Sequence, residues 1–347
     1  MKKLLSNTAC VILTTTVAAC AGPKVSVPAR PLPVATCTSI GQAFSMSGVR
    51  VTAAQVVPAA AATATRVAIP EHCEVLGAAD ERIASDGQPY AIKFRLRAPL
   101  DDRWSGRMLF VGGGGSNGIV RDGLTAFGTV TAPLARGYAV LTQDSGHDNA
   151  VNNDPTRTGT RVFSLDYQAR VDNGYRSYDR TTGIAKGLIQ ALYGAPPKRS
   201  YFAGCSEGGR EALMLTQRFP GHFDGVIAGA PLLEAPKAAL VRPAFITQVY
   251  ADLARKQGLV DRNGLPFINR SLTDDDLNVL AGEVAKSCDA LDGVVDGISQ
   301  DFKACSTTFN PMLLACGPGQ TSDCLSADKA AAIQKQMKGI PGDIAWH

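Results

Sequence analysis

Residues 199–213 read RSYFAGCSEGGREAL, and their pattern indicates the class of fold. The first five residues, 199–203, have the apolar character of a buried strand. Residues 208–219 follow with helical spacing, and Pro220 ends the pattern. A second short strand is indicated at 223–228. Strand, helix and strand in this order predict a βαβ unit and therefore a parallel sheet.

The turn between the strand and the helix carries the motif G-x-S-x-G at residues 204–208. In this context the motif predicts a nucleophile elbow, in which a tight turn projects the Ser206 hydroxyl above the sheet. The N–H of Glu207 and the positive end of the helix dipole would then stabilise an oxyanion. The motif also arises by chance in glycine-rich chains, and that alternative stays open here.

From about residue 90, short apolar runs alternate with helical periodicity, which is typical of an α/β sheet with crossover helices. Beyond Pro231 the pattern changes to helices and cysteine-rich loops without a core strand. We therefore predict an α/β-hydrolase core over residues 37–231 and a separate, inserted region over residues 232–347. The other predicted elements are strands at 108–111 and 138–142 and helices at 177–193, 244–257, 274–287 (capped by Thr273) and 327–338 (capped by Ser326).

The N-terminus has the pattern of an export signal. Two lysines precede a short apolar stretch in residues 1–20, which ends in V-A-A-C. The small residues before Cys20 resemble a bacterial lipobox, so we predict a lipid anchor at Cys20 and a periplasmic or outer-membrane protein. Ordinary signal cleavage is the alternative. Residues 21–36, rich in Pro and Ala, are predicted to form a tether.

The composition narrows the class of protein. The chain has 347 residues, 45% of them hydrophobic, and a formal net charge of +4. Its charges form no basic stripe, which argues against a nucleic-acid partner. Nine cysteines in an exported chain indicate disulfides. Without Cys10 and Cys20 seven remain, so one thiol is left over.

A glycine loop follows the predicted strand at 108–111. It has the sequence GGGGSNG, residues 112–118, and lies where an α/β-hydrolase places the loop that donates a second oxyanion N–H. A rival interpretation is a Rossmann-type nucleotide site, because the loop also fits G-x-G-x-x-G. In that interpretation Asp144, at the end of a later strand, would bind the ribose.

The segment C-D-A-L-D-G-V-V-D-G-I, residues 288–298, brings three carboxylates and two glycines together. Oxygen ligands of this kind suit calcium. The alternative is a solvated Asp/Gly turn, since these residues are common in turns.

The supply of histidine argues against a complete triad. In an α/β-hydrolase the acid and the histidine follow the nucleophile along the chain. Only His222 and His347 follow Ser206. We predict that His222 is a solvated residue at a helix end, and no predicted strand positions His347. His147, with Asp144, precedes Ser206 and is interpreted as structuring a nearby loop.

With these motifs, the sequence resembles the tannase and feruloyl esterase family, which also contains mono(hydroxyethyl) terephthalate hydrolase. The resemblance extends over roughly residues 37–347. It rests on the motifs GCSEGGREA (204–212), GGGGSNG (112–118), TQDSGH (142–147) and CDALDGVVDGI (288–298). The family implies an α/β-hydrolase fold with an inserted, mainly helical lid domain, and hydrolysis of aromatic esters such as gallates, hydroxycinnamates or terephthalate monoesters.

The resemblance also implies roles for individual residues. Ser206 would be the nucleophile, and Glu207 and Gly114 would give the oxyanion N–H groups. A lid calcium would be held by the side chains of Asp289, Asp292 and Asp296 and the carbonyls of Val294 and Ile298. The implied disulfides are Cys37–Cys73, Cys288–Cys305 and Cys316–Cys324.

Cys205 is left without a partner by this pairing. In the family, the cysteine beside the nucleophile is bonded to one that follows the catalytic histidine. Neither that cysteine, nor the histidine, nor the acid is found here, so we expect a C-terminally truncated member with both core and lid incomplete. A non-catalytic, calcium-stabilised remnant that binds phenolic ligands is the alternative.

Overall fold

The computed structural model describes residues 30–115, 117–124, 131–233 and 240–340. The chain divides into two compact units, residues 1–231 and 232–347. The predicted signal at 1–20, most of the predicted tether and His347 lie outside the described residues. Within the described part, every helix is too short or too polar to cross a lipid bilayer.

The first unit is built on one mixed sheet, with the strand order β1-β2-β3-β5-β4-β6-β7. Strands β1, β2, β3 and β5 pair antiparallel, and β5, β4, β6 and β7 pair parallel. The fold class is therefore the one predicted, α/β of the hydrolase type. The strands are β1 Val49–Val57, β2 His72–Ile83, β3 Pro89–Pro99, β4 Arg107–Val111, β5 Tyr138–Gln143, β6 Arg199–Cys205 and β7 Gly225–Gly229.

The four parallel strands agree with the sequence prediction to within a few residues, whereas the antiparallel strands β1, β2 and β3 were not predicted. Strand β3 nevertheless has a clear period of two: Tyr90, Ile92, Phe94 and Leu96 are buried, and the residues between them are more exposed. Such alternation is typical of a strand whose two faces differ in environment.

Helices cover the sheet of the first unit. They are α1 Val34–Ala43, α2 Tyr167–Val171, α3 Ser177–Tyr193 and α4 Glu207–Arg218. Helix α3 supplies much of the core, through buried residues that recur at helical spacing from Tyr178 to Tyr193. Helix α4 starts directly at the predicted elbow, so it fixes the direction in which Ser206 leaves the sheet.

The end of the predicted tether belongs to the fold. Leu32 is fully buried, and its backbone N–H donates to Asp101 O at 2.9 Å. Helix α1 begins at Val34, and its Cys37 is bonded to Cys73 on β2. The prediction that residues up to 36 form a free tether is therefore wrong from about residue 30, because an apolar side chain and a helix anchor this segment to the sheet.

The second unit is helical within its described residues. Its helices are α5 Arg242–Lys256, α6 Asp274–Cys288, α7 Phe302–Thr308 and α8 Ala327–Lys338. The predicted caps are confirmed: Thr273 and Asp276 form a capping box on α6, and Ser326 accepts a hydrogen bond at the start of α8. The ion pair Lys329–Asp276, at 2.6 Å, joins α8 to α6.

Candidate active site

Ser206 lies in a strained turn between β6 and α4. Its backbone has φ 58° and ψ −114°, which is unusual for a residue with a side chain. The Ser206 N–H donates to Gly229 O at 3.0 Å, and Ser206 O accepts from Arg210 N at 3.1 Å, so backbone bonds on both sides hold the turn. The side chain is exposed. This is the geometry of a nucleophile elbow.

The motif glycines are needed because the chain approaches itself closely. A Cβ at Gly204 would overlap the carbonyl of Gly208 one turn later. A Cβ at Gly208 would lie 2.9 Å from Gly113 O, so this glycine lets helix α4 contact the glycine loop. Only a residue without a side chain fits at either place.

The glycine loop and the elbow lie at the same edge of the sheet. Strands β4 and β6 are parallel neighbours with Val111 opposite Ala203, so the segments that follow them emerge side by side. The Gly112 N–H donates to Ala203 O at 2.9 Å. A cleft of about 650 Å³ opens at this edge, between loop residues that include Gly114 and the end of β6 at Cys205.

Two N–H groups at this edge could stabilise an oxyanion. Glu207 is the first residue of α4, so its N–H has no acceptor within the helix. Gly114, whose carbonyl accepts from Asn117 N at 3.1 Å, has no acceptor for its own N–H among the described residues. Glu207 is the donor that the elbow motif predicts, and Gly114 is the donor that the family resemblance implies.

A buried polar cluster beneath the glycine loop was not predicted. Glu211 is fully buried; its Oε2 accepts from Gly113 N at 3.0 Å, and its Oε1 accepts from Asn117 Nδ2 at 2.6 Å and Tyr178 Oη at 3.1 Å. Burial raises the pKa of Glu211 to about 7, although the bonds from Asn117 and Gly113 act in the opposite direction. Ser145 joins the cluster through Tyr178 Oη at 3.0 Å.

A signal for this cluster does exist in the sequence. Gly208, Glu211, Ala212 and Leu215 share one buried face of α4. A glutamate on the apolar face of a helix rarely stays buried without partners. Its partner Asn117, however, is 94 positions away in the chain, so spacing alone could not identify it.

Glu207 is held by its own ion pair. Its Oε1 lies 2.6 Å from Arg210 Nη2, and both side chains are largely buried. The same guanidinium donates to the carbonyls of Asn173 and Gly174, each at 3.1 Å. These carbonyls belong to a single π-helical turn, Asp172–Arg176, before α3. The first turn of α4 is thus joined to a second element.

Asp144 and His147 are buried in the loop after β5. Asp144 Oδ1 accepts from Lys93 N at 3.0 Å and Gly146 N at 2.9 Å, and burial raises its pKa well above the usual value. His147 stacks on Phe163 with ring centroids 3.8 Å apart, and burial lowers its pKa to about 4. Both residues therefore occupy positions suited to structuring the loop.

The nucleotide interpretation lacks its structural context. A Rossmann phosphate loop opens directly into a helix. No helix begins within residues 112–115 or 117–124, the described part of the glycine loop and its continuation. Asp144, the proposed ribose ligand, instead accepts a hydrogen bond from the backbone N–H of Lys93 on the neighbouring strand β3.

None of the histidines in the described residues is bonded to Ser206. His72 Nδ1 lies 2.9 Å from Pro70 O, and His147 is stacked as described above. His222 Nε2 lies 2.7 Å from Asp179 Oδ1 and is partly exposed. His347 is outside the described residues. The elbow and the two candidate oxyanion donors are thus present, but none of the described histidines is bonded to Ser206 as a general base would be.

The predicted calcium loop has the right donors, but they are not gathered around one point. Asp289 Oδ1 accepts from Gly297 N at 2.9 Å, Asp292 Oδ2 from Gln300 N at 2.8 Å, and Asp296 Oδ1 from Ile298 N at 3.0 Å. Among the described residues no group of three or more acidic, His or Cys side chains is arranged to hold a metal. Carboxylate and carbonyl oxygens do match the preference of calcium, so the site stays a prediction.

The three implied disulfides are confirmed. Cys37–Cys73, Cys288–Cys305 and Cys316–Cys324 are bonded. Cys205 is free and exposed beside Ser206. The unpaired thiol that the odd count predicts is therefore this one, within the described residues.

Comparison with known proteins places this geometry in a family. Residues 73–343 match the model of the family described as tannase and feruloyl esterase. The chain belongs to the tannase and feruloyl esterase family. The match covers the elbow, the glycine loop and the acidic loop together.

Curated relatives of the family agree. A mono(2-hydroxyethyl) terephthalate hydrolase from Piscinibacter sakaiensis is 46% identical over 292 residues, 81% of this chain and 47% of that protein. A probable feruloyl esterase B-2 from Aspergillus flavus is 30% identical over 244 residues, 70% of this chain and 42% of that protein. The chain spans about half the length of these relatives.

Solved structures show the same fold. Feruloyl esterase B from Aspergillus oryzae is similar with a TM-score of 0.63 at 24% identity, covering 87% of this chain and 55% of that one. Tannin acyl hydrolase from Aspergillus niger has a TM-score of 0.59 at 22% identity, covering 88% and 56%. The α/β-hydrolase type of the fold is therefore established.

Proposed function

We propose that the protein is a carboxylic ester hydrolase that acts on aromatic esters through an acyl intermediate on Ser206. The observation that carries the proposal is the strained, exposed Ser206 at the start of α4, beside the glycine loop of the same sheet edge. Membership of a family of esterases supports it.

The reaction follows from these atoms. Ser206 Oγ attacks the ester carbonyl carbon while its proton passes to a general base, and the carbonyl oxygen becomes an oxyanion. The N–H groups of Glu207 and Gly114 donate to this oxyanion. The tetrahedral intermediate then breaks its bond to the alkoxide oxygen, which takes the proton back from the base and leaves as the alcohol. Water next gives a proton to the base and attacks the acyl carbon, and the bond to Ser206 Oγ breaks as Oγ takes that proton, which releases the acid. Preorganised N–H donors of this kind contribute about 10² to 10³ in rate each.

The substrate class is inferred from the relatives. Their names specify a terephthalate monoester, feruloyl esters and tannin, all of which are esters of aromatic acids. A cleft of about 650 Å³ beside Gly114 has room for one aromatic acyl group. We therefore assign an aromatic acyl group to this chain and leave the alcohol unspecified.

Two accessory features belong to the proposal. Calcium would bind Asp289, Asp292 and Asp296 with the carbonyls of Val294 and Ile298, and would stabilise the helical unit, which we propose is a lid, without entering the reaction. Export is supported by the three disulfides, because such bonds persist in oxidising compartments. A lipid on Cys20 would anchor the exported protein.

The test is covalent trapping. An ethyl p-nitrophenyl alkylphosphonate should lose p-nitrophenolate as Ser206 Oγ bonds to phosphorus, and the adduct should map to Ser206 by peptide mass spectrometry. The matched control is Ser206→Ala. Equal labelling of the variant would remove Ser206 from the mechanism, and no labelling of the wild-type chain would favour a remnant that only binds phenolic ligands.

A further inference from the structure

A buried carboxylate links the two sides of the proposed oxyanion site. Glu211 is one helical turn after Glu207 on α4, and its Oε2 accepts from the N–H of Gly113, the residue before Gly114. Neither group has a step in the reaction described above. Their hydrogen bond joins the helix that carries one oxyanion donor to the loop that carries the other.

Burial of the Glu211 carboxylate costs free energy, which a role in holding the glycine loop in place would explain. A carboxylate taken out of water loses several kcal/mol of solvation, which only a full set of donors offsets. Glu211 has three such donors from two elements: Gly113 and Asn117 on the glycine loop, and Tyr178 on α3. Asn117 and Tyr178 are buried, and Gly113 is partly buried.

The loop needs such a restraint. Residues 112–115 are four consecutive glycines, the residues with the greatest backbone freedom. Stabilisation of an oxyanion requires its donors to stay about 2.7–3.1 Å from the place where the charge develops. A loop of glycines does not hold that geometry by itself.

We propose that Glu211 is a positioning residue that ties the glycine loop to α4 and thereby fixes the Gly114 N–H relative to the Glu207 N–H. The inference rests on the proposed function of Ser206. It assigns Glu211 no contact with the substrate. Its effect is on the rate of the covalent step, and substrate binding in the cleft changes little.

Three variants test the hydrogen bonds between Glu211 and its partners. A fourth variant, at Tyr193 on α3, the helix that also carries Tyr178, serves as the control. Glu211→Ala removes all the acceptors. Glu211→Gln keeps one oxygen for Gly113 N–H, and its NH₂ can donate to Asn117 Oδ1, which is buried without a partner among the described residues. Tyr178→Phe removes one donor. Tyr193→Phe is the control, because it removes an equally buried bond, from Tyr193 Oη to Pro99 O at 2.6 Å.

Two measurements are made on the full chain. The first is phosphonate labelling, separated into the reversible constant KI and the covalent rate kinact. The second is hydrogen exchange of the amides of residues 112–115, which needs no activity. Tyr178→Phe and Tyr193→Phe each remove a buried hydrogen bond, so a general loss of stability would lower the melting temperature of both variants alike. A difference between these two variants in labelling or exchange therefore reports on the hydrogen bonds of Glu211.

We expect Glu211→Ala to lower kinact by about tenfold or more with KI nearly unchanged, because misplacing one oxyanion donor costs about that much. Exchange of the loop amides should quicken in the same variant. Glu211→Gln should recover most of both, Tyr178→Phe should be intermediate, and Tyr193→Phe should match the wild type.

The outcomes separate the two proposals. The proposed role of Glu211 would be overturned if Glu211→Ala and Tyr193→Phe had the same kinact and the same rate of amide exchange in the loop. If Glu211→Ala does not fold, the same comparison is made between Tyr178→Phe and Tyr193→Phe. Wild-type protein without a Ser206 adduct would refute the proposed function, while the exchange data would still decide whether Glu211 restrains the loop.

Discussion

His222 Nε2 lies 2.7 Å from Asp179 Oδ1, and this pair joins the end of α4 to α3. Ser206 precedes the other end of α4. The helix runs over Glu207–Arg218, so about 18 Å of helix separates the two ends. A histidine that accepts the proton of a serine must lie within hydrogen-bond reach of it. His222 therefore belongs to a hydrogen-bonded pair beyond the far end of α4 and does not lie where a general base for Ser206 would be needed.

The first prediction follows from this distance. His222→Ala should leave the rate of phosphonate labelling at Ser206 unchanged. It should cost at most about 1 kcal/mol in the free energy of unfolding, because the pair is partly exposed to solvent. Urea denaturation and labelling of the same preparation check both. A labelling rate reduced a hundredfold would make His222 part of the site.

The second prediction concerns Glu211 and pH. Its pKa in the folded protein is about 7, above the usual 4.5, because of burial. Asn117, Gly113 and Arg210 oppose this shift and Glu207 adds to it. The folded state thus keeps a proton that the unfolded state releases, so the stability contributed by Glu211 falls as pH rises from about 4.5 to about 7.

Glu211→Gln does not titrate, so the free energy of unfolding of the wild type minus that of the variant should fall with pH. The pKa of Glu211 is about 7 in the folded protein and 4.5 ordinarily, and this difference corresponds to about 3 kcal/mol. Urea denaturation at about pH 5 and about pH 8 measures it. For Tyr193→Phe the same difference should stay flat. A difference that rises with pH for Glu211→Gln would contradict a raised pKa.

Short-range patterns account for the part of the site that could be predicted from the sequence. The elbow was predictable because the strand, Gly204, Ser206, Gly208 and the helix are contiguous in the chain. The disulfides followed from resemblance to a family, and the structure confirms them. Strand β3 could have been found from its alternation.

The restraint on the glycine loop could not be predicted in the same way. Glu211 depends on Asn117 and Tyr178, whose positions relative to α4 are set only once the sheet and α3 have packed. Leu32 is a similar case: its burial depends on a backbone pair with Asp101, so a Pro- and Ala-rich segment that has the composition of a tether is part of the fold.

The third prediction is that calcium stabilises the helical unit. In wild-type protein, excess calcium should raise the melting temperature relative to chelator; at a hundredfold excess over Kd the linked gain is about 2.7 kcal/mol. Asp292→Ala should shrink this calcium-dependent rise, because one of three carboxylates is lost. Asp275→Ala, an exposed acid at the start of α6, should leave it unchanged. Equal melting of the wild type with and without chelator would argue for a bare turn.

The fourth prediction is a thiol count. Cys205 is free and exposed, whereas six other cysteines are paired. Under denaturing, non-reducing conditions, Cys205→Ser should react with one equivalent less of a thiol reagent than the wild type. A count one equivalent higher in the variant would show that Cys205 is bonded to another cysteine of the chain, because the substitution would free the partner, and an identical count would show that the Cys205 thiol is blocked. The comparison of the two chains cancels any contribution from Cys10 and Cys20.

The last prediction concerns turnover by the 347-residue chain. None of the described histidines is bonded to Ser206, so without another base we expect its hydroxyl to keep its proton and to be a weak nucleophile. Such a hydroxyl would be trapped slowly by a phosphonate that carries a p-nitrophenolate leaving group, but it would not turn over methyl esters. Oxyanion donors and binding alone are worth about 10³ to 10⁴ over water in a triad knockout. We therefore expect negligible hydrolysis of methyl gallate and methyl ferulate. Chromatographic assay of the released acid measures this hydrolysis. Rapid turnover that His347→Ala abolishes, with Ser206→Ala as the blank, would show that a histidine outside the described residues completes the site, and the expectation of an incomplete triad would be wrong.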